Sequence, residues 1–546
     1  MAFKPVLVKE PKDVCFLAAL FFFDMERNIM AMIKVENLTF AYPGTYRNLF
    51  ENCSFQIDTD WKLGLVGRNG RGKTTLLNLF LNKYKYSGQI ISSVKFGYFP
   101  SPVPDKSRPV LEIMANISPT AREWELLREL AYLEVDADIL NRRFDTLSNG
   151  EQTKVLLAAF FLNEGRFQLI DEPTDHLDLN ARKTVAAYLK RKKGFILVSH
   201  DRAFLDDCVD HILSLNKTSI DVQNGNFSTW MKAFEDRQAY ETAQNEQLRK
   251  EIRRLHEAAR RTAAWSDRVE SMKTGNGPVD RGYIGHKAAK MMKRSTAISA
   301  RQEKAIEEKS ALLKNVERAD DLKISPLPHH AQTLAQFSNI TIYSDEKPVC
   351  GPVSFEIDQG ARLALAGKNG SGKSSLLKLL LGQDISYSGT LRLASGLIIS
   401  YVPQDPTGLS GSLNEFTIQH SLDRILFNSL LSKLDFGRAQ YETDIATYSL
   451  GQKKKVLIAK SLCERAHLYV WDEPLNYVDI YSRMQIERLI LRFRPTMIFV
   501  EHDRAFQKAA ATRTVEIQSS VKKPEKRTKK LIIIVLFDYL SIKIII

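Results

Sequence analysis

Cysteine is scarce in this 546-residue chain: Cys15, Cys53, Cys208, Cys350 and Cys463 are scattered, and no CxxC pair occurs. Neither a zinc site nor a disulfide framework is indicated, and a reducing cytosol fits best. A long apolar run is missing as well. "VCFLAALFFF" at 14–23 has ten residues, against the roughly 20 that a spanning helix needs. Lys4, Lys9 and Lys12 ahead of it imitate a signal peptide, but no A-x-A-like cleavage site follows. Met30 and Met32 precede the first patterned strand, so 1–29 is expected to be an upstream extension. "LIIIVLFDYLSIKIII" at 531–546 is broken by Asp538 and Lys543. An unstructured or artefactual terminus is expected there in preference to a tail anchor. An acidic surplus is also absent. The net charge of +14 favours polyanionic partners, nucleic acid above all, with a merely soluble basic surface as the plainer alternative.

What the chain does have is itself, twice. "LGLVGRNGRGKTTLLNLFL" at 63–81 recurs as "LALAGKNGSGKSSLLKLLL" at 363–381. "LSNGEQTKVLLAAFF" at 147–161 recurs as "YSLGQKKKVLIAKSL", and "ILVSHDRAFLD" at 196–206 as "IFVEHDRAFQK". The order is the same in both copies, so the domain is duplicated. Each copy alternates short apolar runs ("KLGLVG", "FQLID", "FILVS") with helical patterns. That alternation predicts an α/β fold with parallel strands. The expected domains are 32–233 and 319–520, flanked by an extension at 1–31 and a basic-then-apolar tail at 521–546.

Both copies satisfy G-x-x-x-x-G-K-[ST], as "GRNGRGKT" at 67–74 and "GKNGSGKS" at 367–374. Glycines let the backbone wrap phosphates and aim its N–H groups inward at a helix start. Gly67, Asn69, Gly70, Gly72, Lys73, Thr74 and Thr75 are the candidate ligands in the first copy. Gly367, Asn369, Gly370, Gly372, Lys373, Ser374 and Ser375 are those of the second. The lysines reach the β- and γ-phosphates, and the Thr74 and Ser374 hydroxyls ligate Mg²⁺. About a hundred residues later come "DEPTDHLD" and "DEPLNYVD". An apolar strand ending in Asp171 or Asp472 delivers a carboxylate to the metal shell. Glu172 or Glu473 follows as candidate general base for the attacking water.

With "LSNGEQ", "YSLGQ" and the histidines His200 and His502, this set resembles the ATP-binding-cassette (ABC) family. The resemblance implies two cassettes that close head to tail within one monomer on ATP and Mg²⁺. Gly67–Thr74 with Glu172 and His200 would face Ser449, Gly451 and Gln452. Gly367–Ser374 with Glu473 and His502 would face Ser148, Gly150 and Gln152. Tyr42 and Tyr343 match the family's adenine-stacking position, buried core tyrosine being the plainer alternative. Gln404 in "SYVPQD" matches its Mg²⁺-sensing glutamine, whereas Ser101 stands there in "GYFPSP". Asn149 and Leu450 each interrupt the glycine pair of the signature. Two unequal sites are therefore expected.

Residues 234–318 are almost free of Pro and rich in Glu, Lys, Arg and Gln. Leu248, Ile252, Leu255, Ala259, Trp265, Val269 and Met272 follow a spacing of three or four, the seam of a long helix. "KTGNGPVDRGYIG" interrupts it, and a second helical run follows, which reads as a helical hairpin with an irregular tip. Between Arg268 and Arg301, eight Lys or Arg residues stand against Glu270 and Asp280. Such a tip, with Trp265, Tyr283 and His286, suits phosphate-dense, irregular RNA; a solvated coiled coil packed on the cassettes is the alternative. Transport relatives need membrane segments. UvrA-type and ribosome-recycling relatives need metal-binding cysteines. The chain resembles instead the ABC-F family of translation factors over 32–520. "GYIGHKAAKMMKRS" and "FAYPGTYRNLF" look like its Lsa-type resistance branch. That branch implies a cytoplasmic ATPase without a stable membrane partner. It would bind the 50S ribosomal subunit, its 23S rRNA and the P-site tRNA, and protect against lincosamides, streptogramin A compounds and pleuromutilins. A housekeeping factor for stalled ribosomes and the ATPase subunit of an efflux pump remain the alternatives.

Overall fold

A computed structural model describes residues 32–44, 48–163, 165–174, 177–216, 219–271, parts of 290–307, 322–344 and 347–518. The expectations for 1–31, the hairpin tip and the tail beyond 518 lie outside the described residues. Both cassettes belong to one compact body, and Ser228–Ala319 form a second.

Each cassette has two sheets. In the first, strands Phe50–Asp58, Met32–Phe40 and Ser87–Ser92 make an antiparallel trio, in that spatial order. Burial alternates along "MIKVENLTF": Ile33, Val35, Leu38 and Phe40 point inward, as expected for strands covered on one face. The main sheet runs Lys95–Phe99, Arg166–Asp171, Phe195–Val198, Lys62–Gly67, His211–Leu215 and Ile220–Asn224. It is parallel except for the last strand. "FILV" is buried at all four positions, because a parallel strand sandwiched by helices has no wet face. The second cassette repeats this plan with a five-stranded parallel sheet: Ile399–Val402, Leu468–Asp472, Met497–Val500, Arg362–Ala366 and Arg513–Glu516. The expected parallel α/β sheets are present; the antiparallel trios are an addition that the sequence reading did not contain.

The phosphate-loop helices, Lys73–Phe80 and Lys373–Leu380, pack between the two sheets of their cassettes. Leu76, Leu77, Leu79 and Phe80 share a core with Ile33, Val35, Leu65 and Val198. Leu376, Leu377, Leu379 and Leu380 do the same with Phe337, Leu365 and Val500. This places both loops, both DE pairs and both histidines at the carboxyl ends of the parallel strands, where open α/β sheets bind ligands.

In the second body, helix Phe227–Ser271 runs 45 residues, about 68 Å at 1.5 Å per residue. It begins at Phe227, ahead of residue 234. Leu248, Glu251, Ile252, Leu255 and Ala258 are half-buried while Arg249, Lys250, Arg253, Arg254, His256 and Glu257 are exposed; Leu248, Ile252 and Leu255 of the expected seam thus share one stripe, and Ala259, Trp265, Val269 and Met272 lie outside the described side chains. Among the described residues, no helix is long and apolar enough to cross a membrane.

Candidate functional site

Both phosphate loops turn through left-handed glycines. Gly70 and Gly72 have φ of 82° and 89°, and Gly370 and Gly372 have 75° and 87°, a region that L side chains populate at a cost. At Gly72 a Cβ would also come within 2.8 Å of Leu49 and Phe50. The lysine amines lie over the loops they follow. Lys73 Nζ donates to Gly67 O at 2.8 Å and Asn69 Oδ1 at 3.2 Å. Lys373 Nζ donates to Gly367 O and Lys368 O, both at 2.9 Å. Burial pushes the Lys73 amine below its ordinary pKa, opposed by Asp479, Glu172 and Asp171. Lys373 is lowered by burial too, opposed by Glu473, Asp178 and Asp472.

The DE pairs follow one geometry. Strands Arg166–Asp171 and Leu468–Asp472 end on the aspartates. The glutamates then adopt left-handed backbone, with φ of 48° at Glu172 and 46° at Glu473. Such a conformation persists only where surroundings impose it. Here the Glu172 amide donates to Val198 O and that of Glu473 to Val500 O, each at 3.0 Å. The turn lifts each carboxylate toward its histidine: His200 Nε2 lies 3.3 Å from Glu172 Oε1, and His502 Nε2 lies 3.4 Å from Glu473 Oε1. Burial first, and the positive charges of Lys73 and Arg483 next, hold His200 well below its ordinary pKa. Glu473 is pushed up by burial, but His502, Gln404 and Lys373 outweigh this and bring it to about 2.

The two sites differ at the aspartates. Asp171 Oδ2 accepts from the Thr74 hydroxyl at 3.0 Å and the Tyr98 hydroxyl at 3.1 Å. Asp472 is raised by burial to about 6, partly offset by a hydrogen bond from Ser374. Its Oδ1 is buried without a hydrogen-bond partner. A buried carboxylate oxygen left over, beside a Ser hydroxyl and near Gln404, is the donor set that a hard divalent cation takes. The residues of the second site thus fit Mg²⁺.

The signature segments start helices. Ser148 caps Asn149–Phe160 with Glu151 as its reciprocal partner, and Ser449 caps Leu450–Cys463 with Gln452. This register corrects one expectation. The counterpart of Gln452 is Glu151, and Gln152 instead turns its amide to Phe144 O and Leu147 O of its own cassette, at 3.2 and 3.1 Å. The repeat itself carried the signal: aligning Ser148 with Ser449 pairs Glu151 with Gln452. Gly150 stays in the helix's first turn.

The head-to-tail arrangement is directly visible on one side. Asn69 Nδ2 donates to Tyr477 O at 3.0 Å, and a Cβ at Gly451 would meet Tyr477 O at 2.4 Å and Asn69 Nδ2 at 3.0 Å. The first loop therefore touches the second signature. Arg202 and Glu487 form an ion pair at 2.5 Å, and Arg182 Nη1 reaches His502 O at 3.4 Å. Asp479, whose like in the first cassette is Asp178, pairs with buried Lys455 at 2.7 Å. Asp479 and Lys455 carry charge to Lys73 and His200, as Asp178 does to Lys373. These residues were missed by sequence reasoning, which had no means to place one cassette's acid beside the other's lysine. The tyrosines part company. The Tyr42 hydroxyl bonds Thr75 Oγ1 at 2.6 Å and the residue is 41% exposed, whereas the Tyr343 hydroxyl bonds Ser388 Oγ at 3.3 Å.

Residues 50–175 and 350–476 match the family model described as ABC transporter. The chain is similar to the ribosome protection protein VmlR of Bacillus subtilis, 27% identical over 478 residues, spanning 85% of this chain and 83% of that protein. It is 28% identical over 482 residues to the ATP-binding protein Uup of Caulobacter vibrioides, covering 86% and 74%. ABC transporter F family member 2 of Arabidopsis thaliana is 23% identical over 551 residues, covering 90% and 77%. Among solved structures, the archaeal ribosome recycling factor aABCE1 superposes with a TM-score of 0.57 at 19% identity, over 90% of this chain and 88% of that one. That likeness is one of fold.

Proposed function

We propose that this chain, whose two cassettes match the ABC transporter model and which is similar to VmlR and to ABC transporter F family member 2, is a cytoplasmic ribosome-protection ATPase of the ABC-F family that binds and hydrolyses ATP. The observation that carries the reading is the pairing of two cassettes, seated signature to phosphate loop, with a 45-residue helix between them in the chain. VmlR, which bears the name of ribosome protection protein, is similar across both cassettes.

In this reading, Lys73 and Lys373 hold nucleotide phosphates, and Gly451 and Ser449 cap the nucleotide on the first loop. Thr74 with Asp171, and Ser374 with Asp472 and Gln404, would hold Mg²⁺, which neutralises phosphate charge when bound. Glu172 and Glu473 accept a proton from the attacking water, and His200 and His502 orient them. A neutral His200 can donate to Glu172 without contributing a second positive charge beside Lys73. ATP-driven closure steadies the ribosome-bound state and hydrolysis ends it. The linker's basic stretch contacts the 50S subunit, its 23S rRNA and the P-site tRNA, displacing lincosamides, streptogramin A compounds or pleuromutilins.

The double variant Glu172→Gln with Glu473→Gln is expected to sediment with ribosomes when ATP is supplied. Its absence from the ribosomal peak would overturn the reading. Inhibitory drug concentrations then separate protection from general relief of stalled ribosomes: protection raises them, and general relief leaves them unchanged.

A further inference from the structure

The two cassettes differ at three positions that lie together behind the second site. Where the first has Thr153, Thr174 and Ser199, the second has Lys454, Leu475 and Glu501. Lys454 is a lysine with no exposed surface. Its amine donates to Pro403 O at 2.6 Å and lies 3.4 Å from Asp472 O. It therefore ties the residue before Gln404 to the last residue of the strand that carries the DE pair. Glu501 is also buried. Its carboxylate accepts from the Leu475 amide at 2.7 Å and the His502 amide at 3.1 Å, joining the turn after Glu473 to the histidine. Lys454 and Glu501 feel each other's charge. In the first cassette a neutral contact stands in this place, Thr174 Oγ1 to Ser199 Oγ at 3.3 Å.

Two buried opposite charges, each held by backbone groups, rarely add net stability over a neutral set of like volume, while one left alone is costly. Stability alone gives no reason for one copy to carry them. What the pair adds is a fixed geometry: every residue it grips is a neighbour of Gln404, Glu473 or His502. We propose that Lys454 and Glu501, with Leu475, are positioning residues that hold Gln404, Glu473 and His502 in register for hydrolysis at the second site, a device the first site lacks. The inference rests on the reading of Glu473 as the group that activates water.

The test replaces the set by that of the first cassette, in the full chain: Lys454→Thr, Leu475→Thr and Glu501→Ser together. The triple variant is expected to melt where the parent does. Its kcat for ATP falls about tenfold or more, as misplacement of reacting groups does, with KM little changed. Without nucleotide, amide exchange at Gln404 and Asp405 becomes faster. A parental rate with parental exchange overturns the proposal. Should the triple variant melt early, Lys454→Met decides: it removes the amine, keeps the length, and is expected to lose rate and loop protection alike, and a parental rate there also overturns the proposal. Glu473→Gln runs alongside. Parental turnover in that variant would defeat the reading of the site itself. An inactive Glu473→Gln beside active Lys454 variants would defeat only the inference.

Discussion

Glu473 and Glu172 share backbone, neighbour and histidine, yet their surroundings differ. Glu473 has Gln404 beside it and an Asp472 with an oxygen to spare. Glu172 has Ser101 in the glutamine's place and an Asp171 whose Oδ2 takes two hydroxyls, Thr74 and Tyr98. Glu473→Gln is therefore expected to lower steady-state ATP hydrolysis about tenfold more than Glu172→Gln; equal losses in a phosphate-release assay would contradict this. Gly451 offers a sharper test of closure. A methyl there would press on a backbone carbonyl at 2.4 Å, which no rotamer change relieves. Gly451 and Tyr477 belong to the same cassette, so Gly451→Ala should lower the melting temperature of the second cassette and weaken ATP-dependent ribosome retention together. His200 supplies a pH dependence. Its folded pKa lies below the ordinary 6.5, so the unfolded chain takes the proton first. The stability it contributes is present above that pH and is lost as pH falls through the folded value. His200→Asn should flatten the acid limb of a melting-temperature profile.

At the scale of elements, strand Leu468–Asp472 is a sensitive support for the second site. Trp471 is buried, with its Nε1 donating to Ser461 Oγ at 2.9 Å in the helix that begins at the signature. Trp471→Ala should cost about 3–5 kcal/mol, measured by denaturant unfolding, and should disturb the second site before the first. Helix Phe227–Ser271 is supported by one half-buried stripe. A proline at Ile252 breaks it at a cost of about 3 kcal/mol. Ile252→Pro is expected to keep ATPase activity and lose ribosome-dependent effects.

Across the molecule, the cassettes meet through contacts that alternate between chemistry and support. Asn69 on Tyr477 and Gly451 lies at the nucleotide loop, whereas Arg202 with Glu487 joins the helix after His200 to helix Ile480–Phe493. Closure and the phosphate loop therefore share residues. Excising 273–287 should leave ATPase activity in place and return inhibitory drug concentrations to those of cells without the protein. Unchanged concentrations would remove the tip from the mechanism.

The duplicated motifs, the parallel strands and the stripe of Leu248, Ile252 and Leu255 were legible in the sequence, because backbone chemistry ties each to a local spacing. Glycines must sit where the loop turns left-handed, and apolar runs must fill strands covered on both faces. Gln152 was misassigned because a motif written in letters carries no register, whereas the helix cap at Ser148 does. Lys455, Asp479, Lys454 and Glu501 were invisible as site residues for another reason. Their roles arise from burial and from contacts between distant segments, such as Asp479 beside Lys73, 406 positions earlier in the chain. Local spacing determined which groups could handle phosphate; only the packing of one cassette on the other decided which charges surround them, as Asp479 beside Lys73 and Asp178 beside Lys373 show.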